Sequence, residues 1–472
     1  MPKPAAPMSA AHMPRREFLH TTAAAAAASL VMRSAHGESP GGSTIRLALV
    51  GCGGRGSGAV ADAINAATQL GLPIKLVAMA DVFEGRLSTS RTALEAKFEA
   101  TPEVLDVPPE RQFVGFDAYR NAIDALRPGD VVLLTTPLAF HALHFAYAVE
   151  KGVNVFMEKP VVADGPSARR MLDLSAQADA KNLKCAVGLM VRHCRARQEL
   201  KKRLDDGAIG PIVALRAYRM HGPIASAFSL PKPPDKSETM WQIERFHSFL
   251  WASGGLFSDF YIHQIDETSW MKNAWPVKAH AVGGRHFRGD YVDQNFDSYA
   301  VEYTYPDGAK LFFNGRTMAG CKTSFTSIAH GGSGSAYISK SGHSPGRCQI
   351  FSGQSQTSAD RVWKYQPREE SPYVLEWKDL LTAITNNESY NEIPRGVAAS
   401  MTTSMGRMAA HTGREVTYEQ MLGCDHEFAP NIASLTPDGP APLVADAEGR
   451  YPQPQPGIIT EYEYLPQTPV GA

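Results

Sequence analysis

Ile45-Arg46-Leu47-Ala48-Leu49-Val50-Gly51-Cys52-Gly53-Gly54-Arg55-Gly56 is the stretch that decides the fold. Its first six residues are mostly apolar and read as a short buried strand. The rest is Gly-x-Gly-x-x-Gly, with glycines at 51, 53 and 56 and with Gly54 and Arg55 between them. A helical stretch follows from Ser57 to Leu70, then a second apolar strand from Lys75 to Ala80, ending in Asp81. Each glycine has a job in such a loop. The first permits the tight turn, the second lets the backbone approach a pyrophosphate, and the third lets helix and strand pack closely. The helix amino terminus then offers unpaired N–H groups and a positive dipole end to phosphates. Asp81 stands where an acidic group bonds ribose hydroxyls. An acid there repels a 2′-phosphate, so NAD is expected over NADP, although Arg86 nearby pulls the other way.

Working outward, Val131 to Thr135 is another buried strand, stopped by Pro137 after Thr136. Phe140 to Lys151 has helical periodicity and Gly152 ends it. Val153 to Met157 is a further strand, with Glu158-Lys159-Pro160 at its carboxyl end. Strands alternating with helices imply a doubly wound parallel sheet, an α/β fold of the Rossmann kind. Ligands in such sheets bind beyond the carboxyl ends of the strands. Lys159 is thereby placed near the nicotinamide end of a dinucleotide.

Composition limits the partners. Lys plus Arg number 47 and Asp plus Glu 48, for a net charge of −1. That balance argues against nucleic acid or an anionic membrane as the main partner and favours a small molecule. The six cysteines, at 52, 185, 194, 321, 348 and 424, show no Cys-x-x-Cys spacing and no attendant histidine cluster, so no metal site is expected. Their pairing is left open.

Both ends differ from the middle. Arg15-Arg16-Glu17-Phe18-Leu19 precedes an alanine-rich run from Thr21 to Met32, shorter than the ~20 residues that span a bilayer. Paired arginines before a weakly apolar run form the twin-arginine export pattern, and Ala35-His36-Gly37 offers a cleavage site. Residues 1–37 are thus expected to be a signal peptide, and the mature protein to be periplasmic or otherwise exported. Residues 425–472 contain nine prolines and little apolar periodicity, so they cannot form a core of their own. They are expected either as an arm laid over this subunit or a neighbour, or as disordered chain.

The order of glycine loop, Thr136-Pro137…His141, and Glu158-Lys159-Pro160 resembles the Gfo/Idh/MocA oxidoreductases, a family that includes glucose–fructose oxidoreductase and inositol dehydrogenase. The resemblance continues through Gly254-Gly255 and the series Asp259, His263, Ile265-Asp266, and covers roughly residues 44 to 420. It implies a Rossmann domain over residues 43–165. It also implies an α+β substrate and oligomerisation domain over 166–424, built on an open, mostly antiparallel sheet that makes a homodimer or homotetramer contact. Candidate strands at Lys278–Gly283, Ser298–Tyr305, Lys310–Arg316, Lys322–Ser327 and Ala336–Ser339 are compatible with it. The cofactor set implied is the glycine loop, Asp81, Thr136, Pro137, His141, Glu158 and Lys159.

Asp259 and His263 fall one turn apart on an expected helix beginning near Gly255, where a carboxylate can orient an imidazole. The imidazole suits proton removal from a sugar hydroxyl, and the Lys159 charge suits a developing alkoxide. The resemblance implies Lys159 and His263 as the catalytic pair with Asp259 in support. Arg192, Tyr261, Asp266 and Trp251 are the substrate candidates, with His193, Tyr218, Arg245 and His247 as further polar groups. The expectation is an exported NAD(P)-dependent oxidoreductase of a sugar or polyol, with tightly held cofactor. Two alternatives stay open: a redox-neutral NAD-dependent glycosidase or epimerase, and a non-catalytic sugar sensor. The Tyr-x-Thr-His-Gly pattern of NAD-dependent glycosidases is not seen at Tyr261–His263.

Overall fold

The computed structural model describes residues 44–286 and 289–465. The expected export signal and its cleavage site lie outside the described residues. The amino-terminal sheet contains β1 (Ile45–Val50), β2 (Ile74–Asp81), β3 (Gln112–Val114), β4 (Val131–Leu134), β5 (Asn154–Met157) and β6 (Cys185–Val187). Their spatial order is β3-β2-β1-β4-β5-β6 and the pairings are parallel. The chain therefore reverses direction across the sheet between β1 and β4. The loops leaving those two strands diverge and open a crevice at the sheet's carboxyl edge.

The first helix spans Gly54–Leu70, three residues earlier than Ser57, because the glycine loop passes directly into helical backbone at Gly54. It buries Ala59, Val60, Ala63, Ile64 and Ala67, a stripe of helical spacing. Its outer side is covered from far along the chain. The helix Pro372–Thr385 packs on it, and Trp377 stacks on Phe156 of β5 at 4.5 Å between ring centroids. The first sheet and its packing thus draw on chain beyond residue 165, through β6 and the helix Pro372–Thr385.

The second sheet holds β7 (Ile212–His221), β8 (Lys278–Gly284), β9 (Ser298–Thr304), β10 (Lys310–Thr317), β11 (Ser324–Gly331), β12 (Ser335–Ser339), β13 (Gln349–Phe351), β14 (Arg361–Lys364) and β15 (Val416–Thr417). The order is β14-β13-β12-β11-β7-β10-β9-β8-β15. It is antiparallel except where β7 runs parallel to β10. Strand β7 lies near the sheet's centre yet was not among the expected strands. Its inward residues include alanine at 217 beside Leu215, so its hydrophobic alternation is faint. The helices Gly255–Lys272 and Ile393–Thr412 pack on each other and on this sheet. The former is buried on most of its circumference, which is why it can carry Asp259, His263, Asp266 and Glu267 out of bulk water.

The described residues beyond 425, as far as 465, lie along this same subunit. Phe428, Leu443, Tyr451 and Tyr464 join the apolar cluster of Trp241, Phe249 and Trp251. Near its end, the Glu463 carboxylate receives Arg407 Nε and Nη2, each at 2.8 Å, and His411 Nδ1 at 2.7 Å, all buried. All six cysteines are free thiols. Among the described residues no helix is long and apolar enough to cross a membrane.

Candidate active site

The crevice between β1 and β4 holds a groove of about 490 Å³. Its floor is the glycine loop. Gly51 has φ +98°, and a Cβ there would stand 2.7 Å from the Thr135 carbonyl carbon. A Cβ on Gly56 would come within 2.2 Å of the Gly51 carbonyl oxygen. Gly53 differs: nothing lies within 4 Å of where its Cβ would be, so its backbone faces open space. The helix after it has no side-chain cap, which leaves its first N–H groups available. A cradle of this kind fits a dinucleotide pyrophosphate.

At the groove's far end, Asp81 accepts from Cys52 N at 2.6 Å and Phe83 N at 2.8 Å. Burial raises its carboxyl above the usual range, against those two bonds and the charge of Arg86. Arg86 is itself engaged. It lies over the Phe83 ring and donates to the Glu244 carbonyl at 3.1 Å. That contact bridges the groove, because Ile243 to His247, from the second domain, line its opposite wall. The bridging segment is held by the carboxyl-terminal arm. Thr239 Oγ1 donates to the Gly439 carbonyl at 2.9 Å and Gln242 Nε2 to the Leu443 carbonyl at 2.8 Å.

Thr135, Thr136 and Pro137 also line a second, adjoining cleft of about 330 Å³ between the two domains. Lys159, Asp259 and His263 all line it. Lys159 Nζ donates to the Asp259 backbone oxygen at 2.8 Å and to its Oδ1 at 3.3 Å, while His247 Nε2 lies 3.4 Å from Oδ2. Burial alone would raise the Asp259 carboxyl, but the Lys159 charge and the His247 bond hold it below the ordinary carboxylate range. Asp259 thus braces the lysine rather than the imidazole one turn away. Among the described residues His263 Nδ1 has no hydrogen-bond partner. Burial first, then Lys159 and Arg219, hold its imidazole well below the ordinary histidine range, so it is neutral near pH 7. Glu158 forms the cleft's inner wall, 3.2 Å from Arg55 Nε, and burial raises its carboxyl against the charges of Arg55 and Lys159.

Four substrate candidates are not brought to the cleft. Tyr261 is two residues from Asp259, about 200° around the helix. It faces the sheet, packed on Phe257 and Phe313 with no exposure. Trp251 is core, its Nε1 donating to Gln242 Oε1 at 2.8 Å. Arg192 and Asp266 satisfy each other at 2.7 Å, with Arg395 3.6 Å from the same carboxylate. His141 is also buried, bonded to the Thr136 carbonyl oxygen at 2.8 Å; it is His144, one turn on, that lines the cofactor groove. His193 is tied to Asp379 and Glu392. Tyr218 lies against Arg216 on the second sheet. Arg245 and His247 do line the groove. Sequence reasoning missed Arg219 on β7, His343 in the loop after β12, and Tyr373 at the start of the returning helix. None sits in a motif. Arg219 alone could have been sought, as a charge in an alternating strand.

A family model described as an oxidoreductase family with an NAD-binding Rossmann fold matches residues 45–189. The model of the GFO/IDH/MocA carboxyl-terminal domain matches residues 197–337. Together they span more than half of the chain. The chain belongs to the Gfo/Idh/MocA family. This family member is similar to scyllo-inositol 2-dehydrogenase (NAD(+)) of Bacillus subtilis, with 24% identity over 72% of this chain and 86% of that protein. Its fold is that of scyllo-inositol dehydrogenase from Lactobacillus casei, solved with NAD(H) and scyllo-inositol. The TM-score is 0.55 at 20% identity, covering 80% of this chain and 99% of that one. It is also that of the aldose-aldose oxidoreductase from Caulobacter crescentus, with TM-score 0.60 and 16% identity over 79% of this chain and 100% of that one. The chain is an NAD-binding oxidoreductase with a parallel amino-terminal sheet and a mostly antiparallel second one.

Proposed function

We propose that this chain is an exported, NAD-dependent oxidoreductase of a sugar or polyol that keeps its cofactor between turnovers. The observation carrying the chemistry is the joint placement of the Lys159 ammonium and the neutral His263 imidazole on one interdomain cleft that adjoins the glycine-loop groove. Bound nicotinamide would supply the hydride acceptor or donor. The glycine loop and helix Gly54–Leu70 would hold its phosphates, and Asp81 its adenosine ribose. In the oxidising direction His263 takes the proton of the reacting hydroxyl, and Lys159 Nζ donates to the oxygen as negative charge develops there. Asp259 keeps Nζ at that spot through the 2.8 and 3.3 Å contacts. Sugar and polyol dehydrogenases among its relatives support the substrate class.

Two observations support cofactor retention. Arg86 and the Ile243–His247 segment cross the groove, and the twin-arginine pattern at Arg15-Arg16 marks a route for folded proteins into a compartment with little free nicotinamide nucleotide. The same crossing favours a second reading, redox-neutral turnover of a sugar or glycoside. The test is to denature purified protein and identify any released nucleotide, then incubate intact protein with sugars, polyols and glycosides while following reduced-nicotinamide absorbance. Persistent reduction supports the dehydrogenase. Glycoside cleavage or epimerisation without net reduction supports the second reading. A protein that neither releases nor binds NAD refutes both.

A further inference from the structure

The charged groups lining the substrate cleft are Arg55, Glu158, Lys159, Arg219 and Asp259. Four of them pair off: Arg55 with Glu158 at 3.2 Å and Lys159 with Asp259 at 3.3 Å. Arg219 does not. Among the described residues no carboxylate lies within ion-pair distance of it. Its guanidinium lies 4.2 Å over the Phe325 ring and its polar contact is Nη1 to His343 Nε2 at 3.0 Å. A guanidinium cannot accept, so His343 Nε2 is the acceptor and its proton sits on Nδ1. That Nδ1 is buried and, among the described residues, has no hydrogen-bond partner.

Arg219 is half-buried; burial lowers its guanidinium, and the Asp259 and Glu267 carboxylates, beyond ion-pair distance, offset that only in part, so the cation lacks a contacting counter-charge, which is costly. The cost is incurred here on the wall of a cleft rather than in the closed core. The planar fork of Arg219 lines that cleft, and His343, its Nε2 taken by the fork, holds the guanidinium in place. A planar fork matches a carboxylate, which can take two parallel N–H bonds. The charge count selects between anions: one unmatched positive charge meets one negative charge, whereas a phosphate dianion would leave the site overcharged.

We propose that the cleft takes a monoanionic sugar, a uronate or aldonate, whose carboxylate is received by Arg219, steadied by His343 Nε2. This rests on the sugar oxidoreductase reading and narrows its substrate class. It gives Arg219 the task of orientation: with the carboxylate held at β7, a hydroxyl is presented to Lys159 and His263, which line the same cleft.

The experiment is titration calorimetry on the full-length protein loaded with NAD+, using matched pairs. These are D-glucuronate against D-glucose, D-galacturonate against D-galactose, and D-gluconate against D-glucitol, with D-glucose 6-phosphate as the dianion. A charge-assisted contact of this kind predicts that in at least one pair the acid binds about tenfold tighter or more. Arg219→Gln should erase that preference while leaving NAD+ affinity unchanged, and Arg219→Lys should restore part of it. A ratio below about tenfold in every pair overturns the proposal. So does a preference that survives Arg219→Gln, tighter binding of the phosphate than of any acid, or no measurable binding by any acid. The activity reading is scored separately in the same samples by nicotinamide absorbance. Acid preference without any nicotinamide reduction would leave the anion site standing and the dehydrogenase reading without support. Reduction by neutral sugars with no acid preference would do the reverse.

Discussion

The groove and the cleft adjoin, yet they are built by opposite means. The groove's phosphate cradle is made of backbone, from the Gly51–Gly56 loop and the first turn of one helix, consecutive in the chain. The cleft is made of side chains from scattered elements: Lys159 after β5, Arg219 on β7, Asp259 and His263 on one helix, His343 after β12 and Tyr373 on a helix that returns to the first domain. Backbone recognition demands particular glycines at particular spacings. Side-chain recognition demands only that distant positions meet. The groove therefore fixes what is common to many enzymes, and the cleft fixes what is particular to this one.

The sharpest way to break this contrast is Lys159→Ala. It should lower turnover on the order of 10³-fold or more while NAD affinity, read by fluorescence titration, stays near that of the native protein. Loss of both together would mean that the two sites are not separable. Next in size is Glu463→Ala, which strands the buried Arg407 and should cost about 3 kcal/mol or more in denaturant unfolding. The same carboxyl gives a pH dependence. Burial would raise it, but Arg407 and His411 hold it down to about 2 in the folded protein, against 4.5 unperturbed. Its stabilisation is thus complete above pH 4.5 and is lost as pH falls through about 2.

A third, smaller effect tests the groove. Gly56→Ala forces a Cβ onto the Gly51 carbonyl and should cost about 1–3 kcal/mol, with weaker NAD binding as the larger symptom. The smallest is in the pH profile. His263 is held neutral by burial and by the Lys159 and Arg219 charges, and it must be neutral to accept a proton. So kcat/KM should stay level as pH falls through ~6.5, where an ordinary histidine would already shut the reaction down, and drop only at lower pH. An acid limb at ~6.5 would show that another group limits the rate.

How much of this was readable in advance follows the same division. The parallel sheet, its glycine loop, Asp81 and the Glu158-Lys159-Pro160 corner follow from runs of buried strand residues and from motifs with one physical meaning. Strand β7 escaped because small inward residues blur its alternation. Arg192, Asp266, Tyr261 and Trp251 were plausible sugar ligands by residue type, but type does not say which way a side chain faces. Arg192 and Asp266 neutralise each other, and Tyr261 and Trp251 complete apolar cores. The helix Gly255–Lys272 exposes so little surface that hydropathy alone could not mark Asp259 and His263 as the face turned to the cleft.

The segment crossing the cofactor groove is anchored not by its own neighbours but by chain some two hundred positions further on, at Gly439 and Leu443. Under the proposed retention of the cofactor, departure of the nucleotide would be tied to peeling that distant ribbon off the protein, and a protease that nicks the ribbon near Gly439 would turn a held cofactor into an exchangeable co-substrate.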